Sequence, residues 1–361
     1  MKRILYCTAI VALACACSAQ NQRFDKNASA LMKKFEDLAA QGKIMYGHQD
    51  DLLYGHSWKV SLEEQEYTKS DVKDVCGSWP AVYGLDLGGI ELLKEKNLDN
   101  NYFSQIRESA LKHYARGGVV TFSWHPRNPL TGGDAWDVSS KEVVASILKG
   151  GSHHDFFMGW LKNVADYFET FTLNDGSLCP LIFRPWHEHT GSWFWWGEDL
   201  CTEEQYKALW EMTYNYLSCE RGLKNLIWSY SPGAGGLTAE RIGERYPGNG
   251  IVDIVGLDCY QYSSTGDFIA ELQHTLSLVK DFAATNGKLF ALTEAGCEGL
   301  PQADWWTSTL YPAIAESRPL YVLTWRNACD NPRHFYAPYP GQASAADFVA
   351  FTEKDEIVMC K

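Results

Sequence analysis

Short apolar runs recur along the chain, and most of them end in a polar or aromatic residue. They lie at 44–46 ahead of Gly47-His48-Gln49, 81–87, 119–124 ahead of His125, 181–186 ahead of His187, 226–230, 254–257 ahead of Asp258, 289–293 ahead of Glu294, and 320–325 ahead of Arg326. Each has the length of a strand buried on both faces, as in a parallel sheet. Between them the period becomes helical. Thr202 and Gln205 read as a capping box, followed on one face by Tyr206, Leu209, Trp210, Tyr214 and Leu217. Phe103, Ile106, Ala110, Leu111 and Tyr114 trace a second stripe, and further helices are predicted near 26–41, 62–75, 140–171, 267–286, 304–316 and 343–353. The crossover at 238–246 is the weakest.

Eight strands alternating with helices predict an α/β fold, a (β/α)8 TIM barrel in a single domain. A doubly wound open sheet uses the same alternation, but the count is eight and no G-x-G-x-x-G follows the first strand. In a barrel all parallel strands end at one rim, so His48, Asp86, His125, Glu188, Asp258, Glu294 and Arg326 are expected to converge there.

Composition narrows this further. The 361 residues are 45% hydrophobic and 21% charged, with 14 Trp, 19 Tyr and 16 Phe, which excludes disorder, collagen and coiled coil. No linker or solenoid repeat interrupts 24–361, read as one catalytic domain. The net charge is -13 and no stripe of Lys or Arg could follow a phosphate backbone, so nucleic acid is excluded as a partner. The apolar run 4–17, behind Lys2 and Arg3 and ahead of small residues, is shorter than the roughly 20 residues of a membrane helix. It reads as a signal peptide over 1–19. Two endings stay open: cleavage near Ala19, or a lipoprotein signal in which Cys17 is acylated and supplies the only membrane contact. Either implies export to the periplasm or cell envelope of a Gram-negative bacterium; a monomer is expected. Eight of the 11 cysteines lie beyond this leader without a CxxC, which fits neither a disulfide framework nor a zinc knuckle, and predicts buried thiols with one or two bridges at most.

The stretch Phe183-Arg184-Pro185-Trp186-His187-Glu188-His189-Thr190-Gly191-Ser192-Trp193-Phe194-Trp195-Trp196-Gly197 carries the chemistry. A pyranose offers a C–H face to an aromatic ring and hydroxyls to charged partners at its edge, and this segment has both. Packing of Trp193, Trp195 and Trp196 on neighbouring helices is the plainer reading. A metal site at His187-Glu188-His189 lacks H-E-x-x-H spacing, and His153-His154 reads as solvated or hydrogen bonded. Gly233-Ala234-Gly235-Gly236 reads as a βα turn, since no Lys-Ser/Thr follows it. In Ala291-Leu292-Thr293-Glu294-Ala295-Gly296 an apolar strand ends in one carboxylate followed by small residues. Glu188 and Glu294 thus end the fourth and seventh strands, and two facing carboxylates are what glycosidic cleavage requires.

Arg184-Pro185-Trp186-His187-Glu188 with Gly191 to Gly197, Thr293-Glu294-Ala295-Gly296, Ser123-Trp124-His125-Pro126 and Thr324-Trp325-Arg326-Asn327 resemble the β-mannanases of glycoside hydrolase family 26 from about residue 43 to 331. The resemblance implies a (β/α)8 barrel hydrolysing β-1,4-mannosidic bonds with retention and without cofactor or metal. Glu188 matches the acid/base and Glu294 the nucleophile. His187 matches a residue hydrogen bonded to the nucleophile, Trp193 the aromatic shielding the acid/base, and Tyr260 a tyrosine beside the nucleophile. His125, Trp325, Arg326, Trp136 and Asp258 are implied at the substrate. His189-Thr190 departs from relatives that carry an acidic or amide residue after the acid/base. β-Glucan or β-1,3-xylan hydrolysis, a non-catalytic carbohydrate-binding barrel, and a metal-dependent barrel hydrolase using His48, His125, His187 and Asp258 are the alternatives. The segments 149–160 and 334–340 are placed to close one cleft end, which would favour mannobiose release.

Overall fold

The structure is a computed structural model that describes residues 23–361; the expected signal peptide and Cys17 lie outside the described residues. All eight apolar runs form strands: β1 (Ile44–Gln49), β2 (Val82–Asp86), β3 (Val119–Ser123), β4 (Leu181–Arg184), β5 (Leu226–Tyr230), β6 (Ile254–Tyr260), β7 (Leu289–Gly296) and β8 (Tyr321–Thr324). Each pairs in parallel with the next, and β1 pairs with β8 in the register Met45↔Tyr321 to His48↔Thr324, closing the barrel. Closure rather than an open sheet follows from that last pairing. Side chains of β2 to β5 are buried throughout, which is why these strands are continuous apolar runs. A short antiparallel strand pair, Ile357–Cys360 with Trp79–Pro80, extends the sheet beside β1.

The helices follow the sequence with two corrections. Helix α1 (Lys26–Ala40) starts at Asp25, whose side chain accepts from the Ala28 amide. Helix α2 occupies only Asp71–Cys76 rather than 62–75. Before it, the Glu64 carboxylate accepts the amides of Glu66 and Tyr67, Tyr67 sits at φ 48°, and Arg116 takes the carbonyls of Glu66 and Tyr67. Side chains there satisfy the backbone groups a helix would have used. Helix α3 (Phe103–Ala115) lies where its stripe predicts, but the span 140–171 is two helices, α4 (Val143–Ile147) and α5 (His154–Phe168). They are separated at Gly150, which has a φ of 90°. Helix α6 (Glu203–Tyr214) opens with both bonds of the Thr202–Gln205 box, at 3.2 and 3.0 Å. Then come α7 (Ala239–Glu244), α8 (Thr265–Thr285), α9 (Tyr311–Ile314), entered through a π-helical turn, and α10 (Ala345–Thr352).

No disulfide joins any of the eight cysteines among the described residues, which corrects the expectation of a bridge or two. Among those residues no helix is long and apolar enough to cross a membrane.

Candidate active site

Strands β4 and β7 deliver the two glutamates differently. Glu294 is still within β7 and buried, and Tyr260, on the adjacent β6, donates its hydroxyl to Oε2 at 2.6 Å. Arg184, the last residue of β4, forms an ion pair with the other oxygen of Glu294 and reaches Asp258 at 2.8 Å. Ser231 and Thr293 also donate to Asp258, at 3.0 and 2.6 Å. Burial together with the charge of Glu294 lifts the Asp258 carboxyl to about 7 against the pull of Arg184. The same two carboxylates raise the guanidinium of Arg184 above its usual value despite burial.

Glu188 stands four residues beyond the end of β4, on a segment where Trp186 and Glu188 both have left-handed backbone, φ 55° and 52°. Such non-glycine conformations cost about 1–3 kcal/mol each and persist only where the surroundings fix them. Here the Glu188 amide donates to Ser231 O at 2.8 Å, the Tyr206 hydroxyl to Trp186 O at 2.6 Å, and the Trp196 indole to His187 O at 2.8 Å. Glu188 is partly exposed to the cleft, and the indole N–H of Trp193 donates to its Oε2 at 2.8 Å. Desolvation and the charges of Glu294 and Asp258 push the Glu188 carboxyl well above the usual carboxylate range. The Trp193 bond opposes this, because an N–H donor favours the ionised form. Burial and the like charges outweigh that bond.

Nδ1 of His125 donates to the Asp86 carboxylate at 2.6 Å, and its Nε2 lies 3.1 Å from Nε2 of His187. The two imidazoles are driven apart. Burial opposes charge on both, yet the Asp86 carboxylate outweighs it at His125 and raises that ring, whereas His187, facing Arg184 and His125, falls well below the usual value. When His125 is charged, its Nε2 donates and His187 accepts. The expected bond from His187 to Glu294 is absent from this arrangement: Arg184 and Tyr260 occupy both oxygens of that carboxylate, and His187 is turned to His125.

A cleft of about 620 Å³ opens over these groups, and His125, Trp136, His187, Glu188, Trp193, Asp258, Tyr260, Glu294 and Trp325 all line it. Trp136 is 49% exposed and stacks on His125 with centroids 5.4 Å apart, whereas Trp325 meets the same imidazole edge-on at 6.4 Å. Three residues of the expected rim are engaged beside or beneath it. His48, inside β1, is fully buried and paired with Asp51 at 2.7 Å; Asp86 holds His125; and Arg326 turns to Asp99 at 3.2 Å. The tryptophans divide as well: Trp195 and Trp196 are buried among aromatic rings, the plainer reading, while Trp193 is 46% exposed to the cleft. His153 and His154 are hydrogen bonded to Ser152 and to Ile147 O, and the Gly233 segment follows β5 as a turn. Among the described residues, no group of three His, Cys, Asp or Glu side chains could hold a metal ion.

Residues 21–308 match the model of glycosyl hydrolase family 26. The chain belongs to that family. The structure of a family 26 β-mannanase from Bacteroides ovatus is 44% identical and superposes with a TM-score of 0.89, covering 94% of this chain and 96% of that one. The catalytic domain of a Bacillus endo-β-1,4-mannanase of the same family is 31% identical, with a TM-score of 0.85 over 94% of this chain and 92% of that one. A mannan endo-1,4-β-mannosidase of Bifidobacterium adolescentis is 31% identical over 93% of this chain, which spans 35% of that enzyme's length. Sequence reasoning quoted Arg184 in the family 26 motif but gave it no role. The available signal was a charged residue closing an otherwise apolar strand.

Proposed function

We propose that the protein is a retaining endo-acting β-1,4-mannanase that works by double displacement. Glu294 attacks the anomeric carbon while Glu188 passes its proton to the departing oxygen, which leaves a mannosyl ester on Glu294. Glu188, now ionised, takes a proton from water, and the resulting hydroxide attacks that carbon, breaking the ester bond and restoring both carboxyls. The observation that carries this reading is the unequal environment of two carboxyls lining one cleft: one is ion-paired with Arg184, the other raised well above the usual carboxylate range by burial and by its partner's charge. Tyr260 and Arg184 aim Glu294, and His187, with His125 and Asp86 behind it, presents a fixed polar wall to the sugar. His48, His125, His187 and Asp258, the groups a metal-dependent alternative needs, are bonded to Asp51, Asp86, each other and Arg184, which favours the two-carboxylate scheme.

The similar proteins that carry the name mannanase favour β-mannan over other β-linked glucans and xylans. Digestion of linear and galactosylated mannan, with product length followed over time, tests the function and its mode together. A ladder of lengths marks internal cleavage. Mannobiose from the first minutes marks attack from a closed end, walled by segments 149–160 and 334–340. Absence of any reducing sugar would leave a binding barrel.

A further inference from the structure

Helix α2 opens with Asp71, a buried carboxylate that ties three segments together. Its Oδ2 accepts the His56 amide at 2.6 Å and the side-chain amide of Asn327 at 2.8 Å, and its Oδ1 accepts the Trp58 indole N–H at 2.7 Å. His56 and Trp58 belong to a hairpin in which Tyr54–Gly55 pairs with Trp58–Lys59, and Asn327 follows Trp325 and Arg326 past the end of β8. The hairpin and the β8 loop also meet ring on ring, with the His56 imidazole stacked on Tyr339 at 3.7 Å.

Asn327 is buried and uses every hydrogen-bonding capacity of its amide. Nδ2 donates to Asp71 at 2.8 Å and to Ala337 O at 3.1 Å, while Oδ1 accepts the amides of Tyr336 and Ala337 at 2.9 and 3.0 Å. An ionised aspartate could make neither of the first two bonds and would set a second carboxylate against Asp71. What the asparagine holds is therefore the backbone of residues 336 and 337.

That backbone carries a ring into the site. The buried Tyr336 lies over Gly296 at the end of β7, where an added Cβ would collide with it, and meets Tyr260 edge-on with centroids 5.7 Å apart. Gly296 and Tyr260 are register partners on β7 and β6. Tyr262 also flanks Tyr260, at 6.1 Å, but it is 88% exposed, so Tyr336 is the fixed wall. The Tyr260 hydroxyl, at the far end of that ring, is the donor to Glu294. A small tilt of the ring takes it out of hydrogen-bond geometry.

We propose that Asn327, braced by Asp71, is a positioning residue of the reaction: it seats Tyr336 over Gly296, and Tyr336 keeps the Tyr260 hydroxyl on Glu294. The proposal rests on Glu294 being the nucleophile and extends its support to the seam between the β1 and β8 loops. Neither Asp71 nor Asn327 is among the residues lining the cleft, so their effect on rate runs through the two tyrosines.

A double-mutant cycle on mannopentaose tests this. Tyr260→Phe keeps the ring and removes the hydroxyl, and should lower kcat/KM about ten- to a hundredfold. Asn327→Ala should lower it about tenfold, the loss appearing in kcat with KM close to wild type. In the Tyr260→Phe background the same change should cost less than about twofold, because the group it positions is already gone. Tyr336→Leu, which removes the wall and leaves the backbone bonds of Asn327 in place, should show the same non-additivity and serves where Asn327→Ala does not fold. A purely structural role lowers activity by the same factor in both backgrounds. Equal factors, or wild-type activity of the single variants, would overturn the proposal. Full activity of Glu294→Ala would instead remove the nucleophile reading, whichever way the cycle falls.

Discussion

Glu294 lies within its strand with Arg184 and Tyr260 on its two oxygens, whereas Glu188 stands four residues past its strand on left-handed backbone with a single indole donor and two negative neighbours. The side chains are chemically identical. What separates their surroundings is position: one faces the cation that closes β4, three strands away, and the other faces the first. The proposed division into donor and nucleophile rests on this inequality of surroundings. Glu294 supplies part of the field that raises the Glu188 carboxyl, so the proposed division is cooperative and neither role would be set by its own loop alone.

The hardest blow to this pairing is Glu294→Ala. It should cut kcat by roughly 10⁴-fold or more with a modest change in KM, measured as initial rates on mannan. A variant retaining a tenth of wild-type turnover would assign the nucleophile elsewhere. Glu188→Ala should cost about 10²–10⁴-fold on mannan and clearly less on a nitrophenyl glycoside, whose leaving group needs little protonation. Equal losses on the two would deny Glu188 the donor's role. Trp193→Phe is the mildest change, lowering kcat at the optimum by less than about tenfold. Because Glu188 donates only while protonated, activity falls as pH rises through its elevated value. Removing the indole donor, which favours the ionised form, moves that alkaline limb of kcat to higher pH. A shift to lower pH would mean the contact acts mainly by desolvation.

Much of this was legible in the sequence, and the illegible part has a common cause. The eight strands could be read because each is wrapped by helices and neighbours, leaving no polar alternation to confuse the pattern. Both glutamates could be read because Glu294 closes an apolar run and Glu188 follows one within a tryptophan-rich stretch. Arg184 could not, since its partners lie 74 and 110 residues away on β6 and β7 and become neighbours only on closure. For the same reason Trp193 looks like Trp195 and Trp196 until the loop folds and two of the three turn inward. His187 was expected at the nucleophile and instead meets His125, 62 residues away in sequence, a contact that no local motif announces. The over-long helix before residue 71 failed because the Glu64 side chain, within the segment, and Arg116, from outside it, satisfy the backbone groups a helix would use.

The seam between β1 and β8 bears on how the molecule assembles. Tyr46 and Thr324, hydrogen bonded at 2.8 Å, are 278 residues apart in sequence, so nearly the whole polypeptide must be in place before the last raw sheet edges are covered. Until then two unpaired edges remain as templates for aggregation. Refolding from denaturant should accordingly be slow and lose yield as protein concentration rises, and a chain halted before residue 321 has no means of sealing itself.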